Sequence, residues 1–232
     1  GGQSYAPLDR TIDNQIARLR KKIERNPASA NARHLRAISL AIGGHDQAGL
    51  AEMERALSAD PSSVIANCDM GMIHYWGRRF GEAKRWFDIA LEQDPGFAHA
   101  RSGLAFTLLE LGKENAAVRE IRSASENRGR VAPGELAYVL GRAGHTAEAR
   151  SLLTERPVSG SDKRGDPYQQ VLAHLGMENY EEAFEWLDQA LEYRSRDLVL
   201  LGVNPIADPI RSSDRFAEFI QRAALPKVVG AR

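Results

Sequence analysis

The chain has 232 residues with 31 basic and 31 acidic side chains, so its formal net charge is zero; that balance excludes a protein whose whole surface grips nucleic acid or anionic lipid. Hydrophobic residues at 43% and charged residues at 27% supply a packed core for one large domain or two small ones and exclude a disordered chain, and no apolar run approaches the roughly 18 residues of a membrane span. Cys68 is the single cysteine, which excludes an internal disulfide and a multi-cysteine zinc site.

Residues 1–9 read as an extended tail, and the start at Gly-Gly rather than Met points to a piece of something longer. In 10–26, Ile12, Ile16, Leu19 and Ile23 recur at i, i+4, i+7, i+11, the apolar stripe of one amphipathic helix. Arg18, Arg20, Lys21, Lys22 and Arg25 lie on its other sides, with the basic residues of the last turn favoured there by the helix dipole. The helix ends at Pro27 and serves as an N-terminal cap.

An internal repeat then governs the chain. Asn26-Pro27, Asp60-Pro61 and Asp94-Pro95 are 34 residues apart, and each ends a stretch of helical apolar spacing. A residue before proline leaves the helical region, so each period holds two helices of roughly 12 to 14 residues and a short turn. Small residues return in step at Ala37, Gly71, Ala105 and Ala137, and twelve residues later at Gly49, Ala83, Ala117 and Ala149. Met53, Phe87, Ile121 and Leu153 follow four residues on. Ala56, Ala90 and Ala124 close the first three periods, where the fourth has Arg156. Small positions let paired helices approach, and the large ones fill the groove beside them. Gly44, Gly112 and Gly144 fall in the turns, where a positive φ is wanted.

The expected domain organisation is four repeats over 28–157, a linker over 158–167, a fifth repeat over 168–195, and capping helices with a tail over 196–232. Gly129 replaces the closing proline of the third period, and Pro157 follows Arg156 in the fourth. In the fifth, Ala183, Leu187 and Ala190 fit, but Gly176 lies seven residues before Ala183 instead of five, which predicts a longer turn. Short helices are predicted near Arg196–Leu201 and Asp214–Ala223, with the task of covering the apolar face of the last repeat.

These residues resemble the tetratricopeptide repeat (TPR) family over about residues 10 to 195. The resemblance implies an all-α fold, a right-handed superhelix of antiparallel helix pairs. Two further likenesses accompany it. Asp9, Arg10, Thr11, Ile12, Asp13, Gln15, Ile16, Arg18, Leu19, Arg20, Lys22 and Ile23 are similar to the recognition helix of response-regulator winged-helix domains, whose polar side lies in the major groove. The segment RDLVLLGVNPIADPIRSSDRFAEFIQRAAL is similar to the terminal arrangement of bacterial TPR proteins fused to class III adenylyl cyclases or winged-helix regulators.

Catalytic motifs are absent: there is no GxGxxG, GxxxxGK[ST], HExxH or GxSxG. His34, His45, His74, His99, His145 and His174 never stand at the i, i+4 spacing of a metal pair, and His74 reads as a packed residue. Glu178, Glu181, Glu182 and Glu185 surround a helix start, where they offset the dipole. Neither a base nor a lowered-pKa setting accompanies Cys68. The chain is expected to be no enzyme, with no metal and no cofactor.

Recognition remains. The TPR resemblance implies that His34, Ile38, Ala41 and Ile42, then Cys68, Met72, Tyr75 and Trp76, then Ser102, Phe106, Leu109 and Glu110, then Gly134, Tyr138, Gly141 and Arg142 face a concave groove. His34, Ile38 and Asp69 stand where members that clamp a terminal carboxylate need basic or amide groups, so an acidic peptide terminus is not the expected ligand. An apolar or aromatic peptide or helix is, with Tyr75, Trp76, Phe106 and Tyr138 either exposed anchors or rings packed against the neighbouring repeat or covered by the chain's own termini; as anchors, Tyr75→Ala/Trp76→Ala is expected to abolish capture with helicity and melting near wild type.

The expected role is thus a protein-interaction scaffold within a larger bacterial regulator. A cytoplasmic location is expected, with the periplasm left open, and a second copy of the chain counts among the partners. The alternative is DNA binding through Arg18, Arg20, Lys21, Lys22 and Arg25, weakened by the missing first helix and wing that would fix the angle of such a helix. A gel shift that falls steeply with salt and disappears in Arg18→Ala/Arg20→Ala is its expected signature, and no shift at low salt removes it for this chain.

Overall fold

The computed structural model describes residues 8–26, 29–126, 131–154 and 166–225. The 158–167 linker, apart from Asp166 and Pro167, lies outside the described residues, as do Pro27, Gly129, Arg156 and Pro157. The described chain is helical: α1 (Leu8–Arg25), α2 (Ala30–Ile42), α3 (Asp46–Ala59), α4 (Val64–Trp76), α5 (Phe80–Gln93), α6 (Ala98–Glu110), α7 (Glu114–Glu126), α8 (Pro133–Arg142), α9 (Thr146–Thr154), α10 (Pro167–Gly176), α11 (Tyr180–Tyr193) and α12 (Asp214–Ala223), with 3-10 helices at Arg196–Leu200 and Pro205–Ile210. Among the described residues there is no strand, and no helix long and apolar enough to cross a membrane.

Two compact units divide these elements: α1 to α4 together with the segment from Val199 onward, and α5 to α11 through Leu198. In the first unit, α2 packs on α1, α3 and α4. Ser29 and Ser63 start α2 and α4, each side chain accepting a hydrogen bond from the amide three residues on. Gly49 allows α3 to press on α2, since a Cβ there would lie 2.8 Å from the Ala37 carbonyl oxygen. Glu52, 4% exposed, accepts from Arg33 (3.0 Å), Arg36 (3.1 Å) and Arg55 (2.8 Å), so that the buried carboxylate also ties α3 to α2.

The second unit obeys the same rule. Gly103 of α6 faces the Phe87 ring of α5, which a Cβ would approach to 2.5 Å. Ala83, Phe87, Ala90, Ala105, Ala117, Ile121, Ala124, Ala137 and Ala149 are fully buried, as the size pattern predicts. Helices α8 and α10 meet backbone to backbone. Cβ atoms built at Gly134, Gly141 and Gly176 would come within 2.3 Å of the Gln169 carbonyl oxygen, 2.7 Å of Gly176 itself and 2.5 Å of Tyr138 Cα.

Gly176 is therefore a packing residue at the end of α10, and the longer turn predicted beside it does not form. Five turns share one length of three residues, Gly43–His45, Gly77–Arg79, Leu111–Lys113, Ala143–His145 and Met177–Asn179. In each, the third residue donates its amide to a carbonyl five back: His45 to Leu40 (2.8 Å), Arg79 to His74 (2.9 Å), Lys113 to Leu108 (2.8 Å), His145 to Leu140 (2.8 Å) and Asn179 to His174 (2.9 Å). The middle residue is left-handed, with φ of 81° at Gly44, 67° at Gly112 and 85° at Gly144, but also 57° at Arg78 and 60° at Glu178. Without glycine this costs roughly 1–2 kcal/mol, and Glu178 accepts the cost where the missing turn glycine suggested extra length.

The C-terminal helices form where predicted, with a further 3-10 helix at Pro205–Ile210 that Asn204 caps through a 3.2 Å bond from the Ile206 amide. Phe216, Phe219, Ile220 and Ala223 form the buried face of α12. Within the first unit, this segment is anchored to Arg78. Arg78 Nη2 donates to Asp208 Oδ1 (2.6 Å), its Nε to Asp208 Oδ2 (3.2 Å) and its Nη1 to the Val203 carbonyl (3.0 Å).

Gly176→Ala is expected to lower stability by about 1–3 kcal/mol, because both atoms that must part are backbone. Gly81→Ala, with nothing within 4 Å of the new Cβ, is expected to be neutral or to gain up to about 1 kcal/mol. Urea unfolding midpoints compare the two.

Candidate functional site

In the first unit, His34 Nε2 and Asp69 Oδ2 are 2.6 Å apart and tie α2 to α4. Ile38 lies one turn beyond His34; Ile65 and Met72 lie one turn either side of Asp69, on the same face. Ile38 and Met72 are half-buried, while Leu35 and Ile65 are 41% and 56% exposed. What this face offers solvent is thus aliphatic, arranged about one ion pair. Register missed Leu35 and Ile65, since neither stands at the offsets used to pick inward positions.

The aromatic anchors expected beside them are not available. Tyr75 and Trp76 are 1% and 6% exposed and Cys68 is fully buried. In helix α4 Ala66, Asn67, Cys68, Met70, Gly71, Ile73, Tyr75 and Trp76 are all buried, and so wide a buried face has to be covered by neighbouring elements. Their truncation acts on the core before it acts on any contact. Burial, then the nearby Asp69 charge, pushes the Cys68 thiol far up, which disfavours the nucleophilic thiolate at neutral pH. His74 is half-buried, as its packed reading has it, and its Nδ1 accepts from Arg79 Nε at 3.1 Å.

A cavity of about 240 Å³ lies at the C-terminal ends of α2 and α4, with Ala41, Asp46, Trp76, Arg78 and Val203 among its walls. The Trp76 indole N–H is buried with no hydrogen-bond partner among the described residues. Arg79 Nη1 holds Asp46 Oδ2 at 2.7 Å. No signal in the sequence marked Arg78, because its partner Asp208 is 130 residues away.

In the second unit, Phe106 and Tyr138 meet edge to face with centroids 5.7 Å apart. Arg142 Nη1 donates to the Tyr138 hydroxyl at 2.8 Å and lies 3.5 Å from Glu110 Oε1. Phe106, Leu109 and Tyr138 are 7%, 5% and 1% exposed, so they form an internal cluster whose accessible edge is the half-buried Arg142–Glu110 pair. Gly134 and Gly141, assigned to the groove by register, face α10 instead.

Near the start of α8 and α10 sits an acidic group. Burial raises the Glu135 carboxyl above the usual range, with His99 and a hydrogen bond to Ser102 pulling it partly back. Burial and Asp166 raise Asp197; burial, then Asp197, Glu135 and Asp166, drive the Tyr168 phenol up. Burial lowers His174. On α1, Arg18, Arg20, Lys21, Lys22 and Arg25 are exposed while Leu19 and Ile23 are buried, the arrangement of an amphipathic helix.

No protein-family model and no curated protein matches the chain. Among solved structures it is similar to PilF of Pseudomonas aeruginosa, at 17% identity over 91% of this chain and 90% of that one, with a TM-score of 0.56. It also aligns with YrrB, described as a TPR protein with an unusual peptide-binding site, at 23% identity over 79% and 95% of the two chains and a TM-score of 0.48. A third match is Naa15/Naa10 bound to HypK-THB, at 16% identity over 93% of this chain and 36% of that one, with a TM-score of 0.43. The described fold is all-α, built of successive helices joined by short turns, and at 17% identity the likeness to PilF is one of fold.

A raised carboxyl favours the neutral form in the fold. The stability it lends is full below the ordinary carboxylate range and lost as pH rises through the folded value. Glu135→Gln is therefore expected to raise the melting temperature at pH 7 by about 2–4 °C, a gain that shrinks towards pH 4 in calorimetric scans.

Proposed function

We propose that the chain is a non-catalytic interaction module in which the α2–α4 face of the first unit takes an apolar peptide or helix of a partner protein. The observation that carries this reading is the exposure of Leu35 and Ile65 beside half-buried Ile38 and Met72. Large aliphatic side chains clustered at the surface are costly to leave in water and mark contact sites. The His34–Asp69 pair in their midst fixes α2 against α4 and supplies the polar element that orients a ligand. The buried, high-pKa Cys68 and the engaged rings of His34 and His74 support a role without catalysis. Membership of a larger bacterial regulator rests on the sequence likenesses of 9–23 and of the C-terminal segment, and a cytoplasmic setting follows from that context.

Selection of displayed peptides against the whole chain is expected to enrich apolar sequences. Leu35→Asp/Ile65→Asp is expected to weaken the selected peptide at least thirtyfold, about 2 kcal/mol, with helicity and melting temperature near wild type. Enrichment of acidic or basic peptides, or binding untouched by the double variant, overturns the reading.

A further inference from the structure

Three carboxylates of the second unit meet where α8 and α10 begin. Glu135 lies in the first turn of α8, Asp166 caps α10, and Asp197 lies in the first turn of the 3-10 helix that follows α11. The elements that carry them are pinned together. The Gly134 amide donates to Gln169 Oε1 (3.1 Å), while Asp166 Oδ1 accepts from the Tyr168 amide (3.0 Å) and from the Ser195 hydroxyl. Glu135 and Asp166 are half-buried and Asp197 is exposed, so solvent reaches the group from the Asp197 side.

Capping accounts for Asp166, but not for what surrounds it. Burial raises the Glu135 carboxyl, and His99 and Ser102 draw it only partly back. Burial, then Asp166, raises Asp197, and Arg196 offsets only part of that. Among the three stands Tyr168, 3% exposed, whose buried hydroxyl has no hydrogen-bond partner among the described residues and whose phenol feels all three carboxylates. Like charges gathered about an unmet hydroxyl are costly to fold, and a cation is what corrects that imbalance.

Size decides which cation. Among the described residues these three carboxylates do not bring one oxygen each within 4.8 Å of one another, too wide a set for one metal ion, which holds its ligands at roughly 2.0–2.6 Å. A guanidinium spans the wider gap, because it is planar and spreads five N–H donors over a fork.

We propose that Glu135, Asp166 and Asp197, with the Tyr168 hydroxyl among them, form a pocket for the guanidinium of an arginine carried by a partner polypeptide. The carboxylates accept its N–H groups in charge-assisted bonds, and the hydroxyl oxygen accepts one more. An arginine within a polypeptide suits the pocket better than free arginine, which brings a carboxylate of its own into the same negative field. One such contact binds at roughly millimolar Kd, too weakly to be retained in a peptide selection. The pocket belongs to the second unit and is independent of the Leu35–Ile65 face of the first, so either reading can fail alone.

The probe is N-acetylarginine methylamide, titrated into the isotope-labelled full chain at pH 7 and constant ionic strength and followed by amide chemical shifts. Saturable shifts at Glu135, Tyr168 and Asp197 are expected, with affinity at least fivefold above that of free arginine. Glu135→Gln/Asp197→Asn is expected to weaken the probe at least tenfold, and Leu35→Asp/Ile65→Asp to leave it unchanged. Tyr168→Phe is expected to weaken it at least threefold while the melting temperature stays at or above that of wild type, a combination that a merely structural hydroxyl does not give. Absence of saturable shifts, the same shifts with sodium chloride, or carboxylate variants that bind like wild type overturn the proposal. Tighter binding of free arginine would make this a metabolite pocket, and tighter binding of calcium a metal site; either result ends it.

Discussion

Two helices can lie against each other only as closely as the side chains between them permit, and the packing of each unit depends on where this chain leaves those side chains out. At Gly103 the Phe87 ring occupies the space a Cβ would need, and at Gly176 the Tyr138 backbone does. On these helices and their neighbours, Ala83, Ala90, Ala105, Ala117, Ala124, Ala137 and Ala149 are wholly buried as well. Close approach gives many weak dispersion contacts at once, and it fixes which face of each first helix is consumed by its neighbour and which is left over.

Turn chemistry adds the second constraint. One three-residue connection, closed by a six-residue hydrogen bond, recurs in the first unit and in the second. Its middle residue must be left-handed, a demand that glycine meets freely. Where Arg78 and Glu178 meet it instead, the chain accepts local strain. At Arg78 the strain coincides with an anchor for a segment far along the sequence, which is the pattern expected where strain is tied to a task.

Of the residues that the register assigns to a groove, His34, Ile38 and Met72 are half-buried. The aromatic residues did not behave as anchors, because position on a helix says which way a side chain points and not how much material arrives to cover it. Tyr75 and Trp76 belong to a helix most of whose residues are buried, and Phe106 and Tyr138 find each other across α6 and α8. Leu35 and Ile65 became prominent for the converse reason: no described element covers them fully.

From residue order alone came the 34-residue period, the all-α class, the small-and-large alternation and the positions of both C-terminal helices around Arg196 and Asp214. Each is encoded within a few turns of helix, by periodicity, by proline and by side-chain volume, so a local reading recovers it. Tertiary structure alone decided that Gly176 packs instead of turning, that the aromatics are interior, and that the last segment is held by Arg78. Those outcomes depend on which surfaces meet across tens of residues, and no local pattern carries that information.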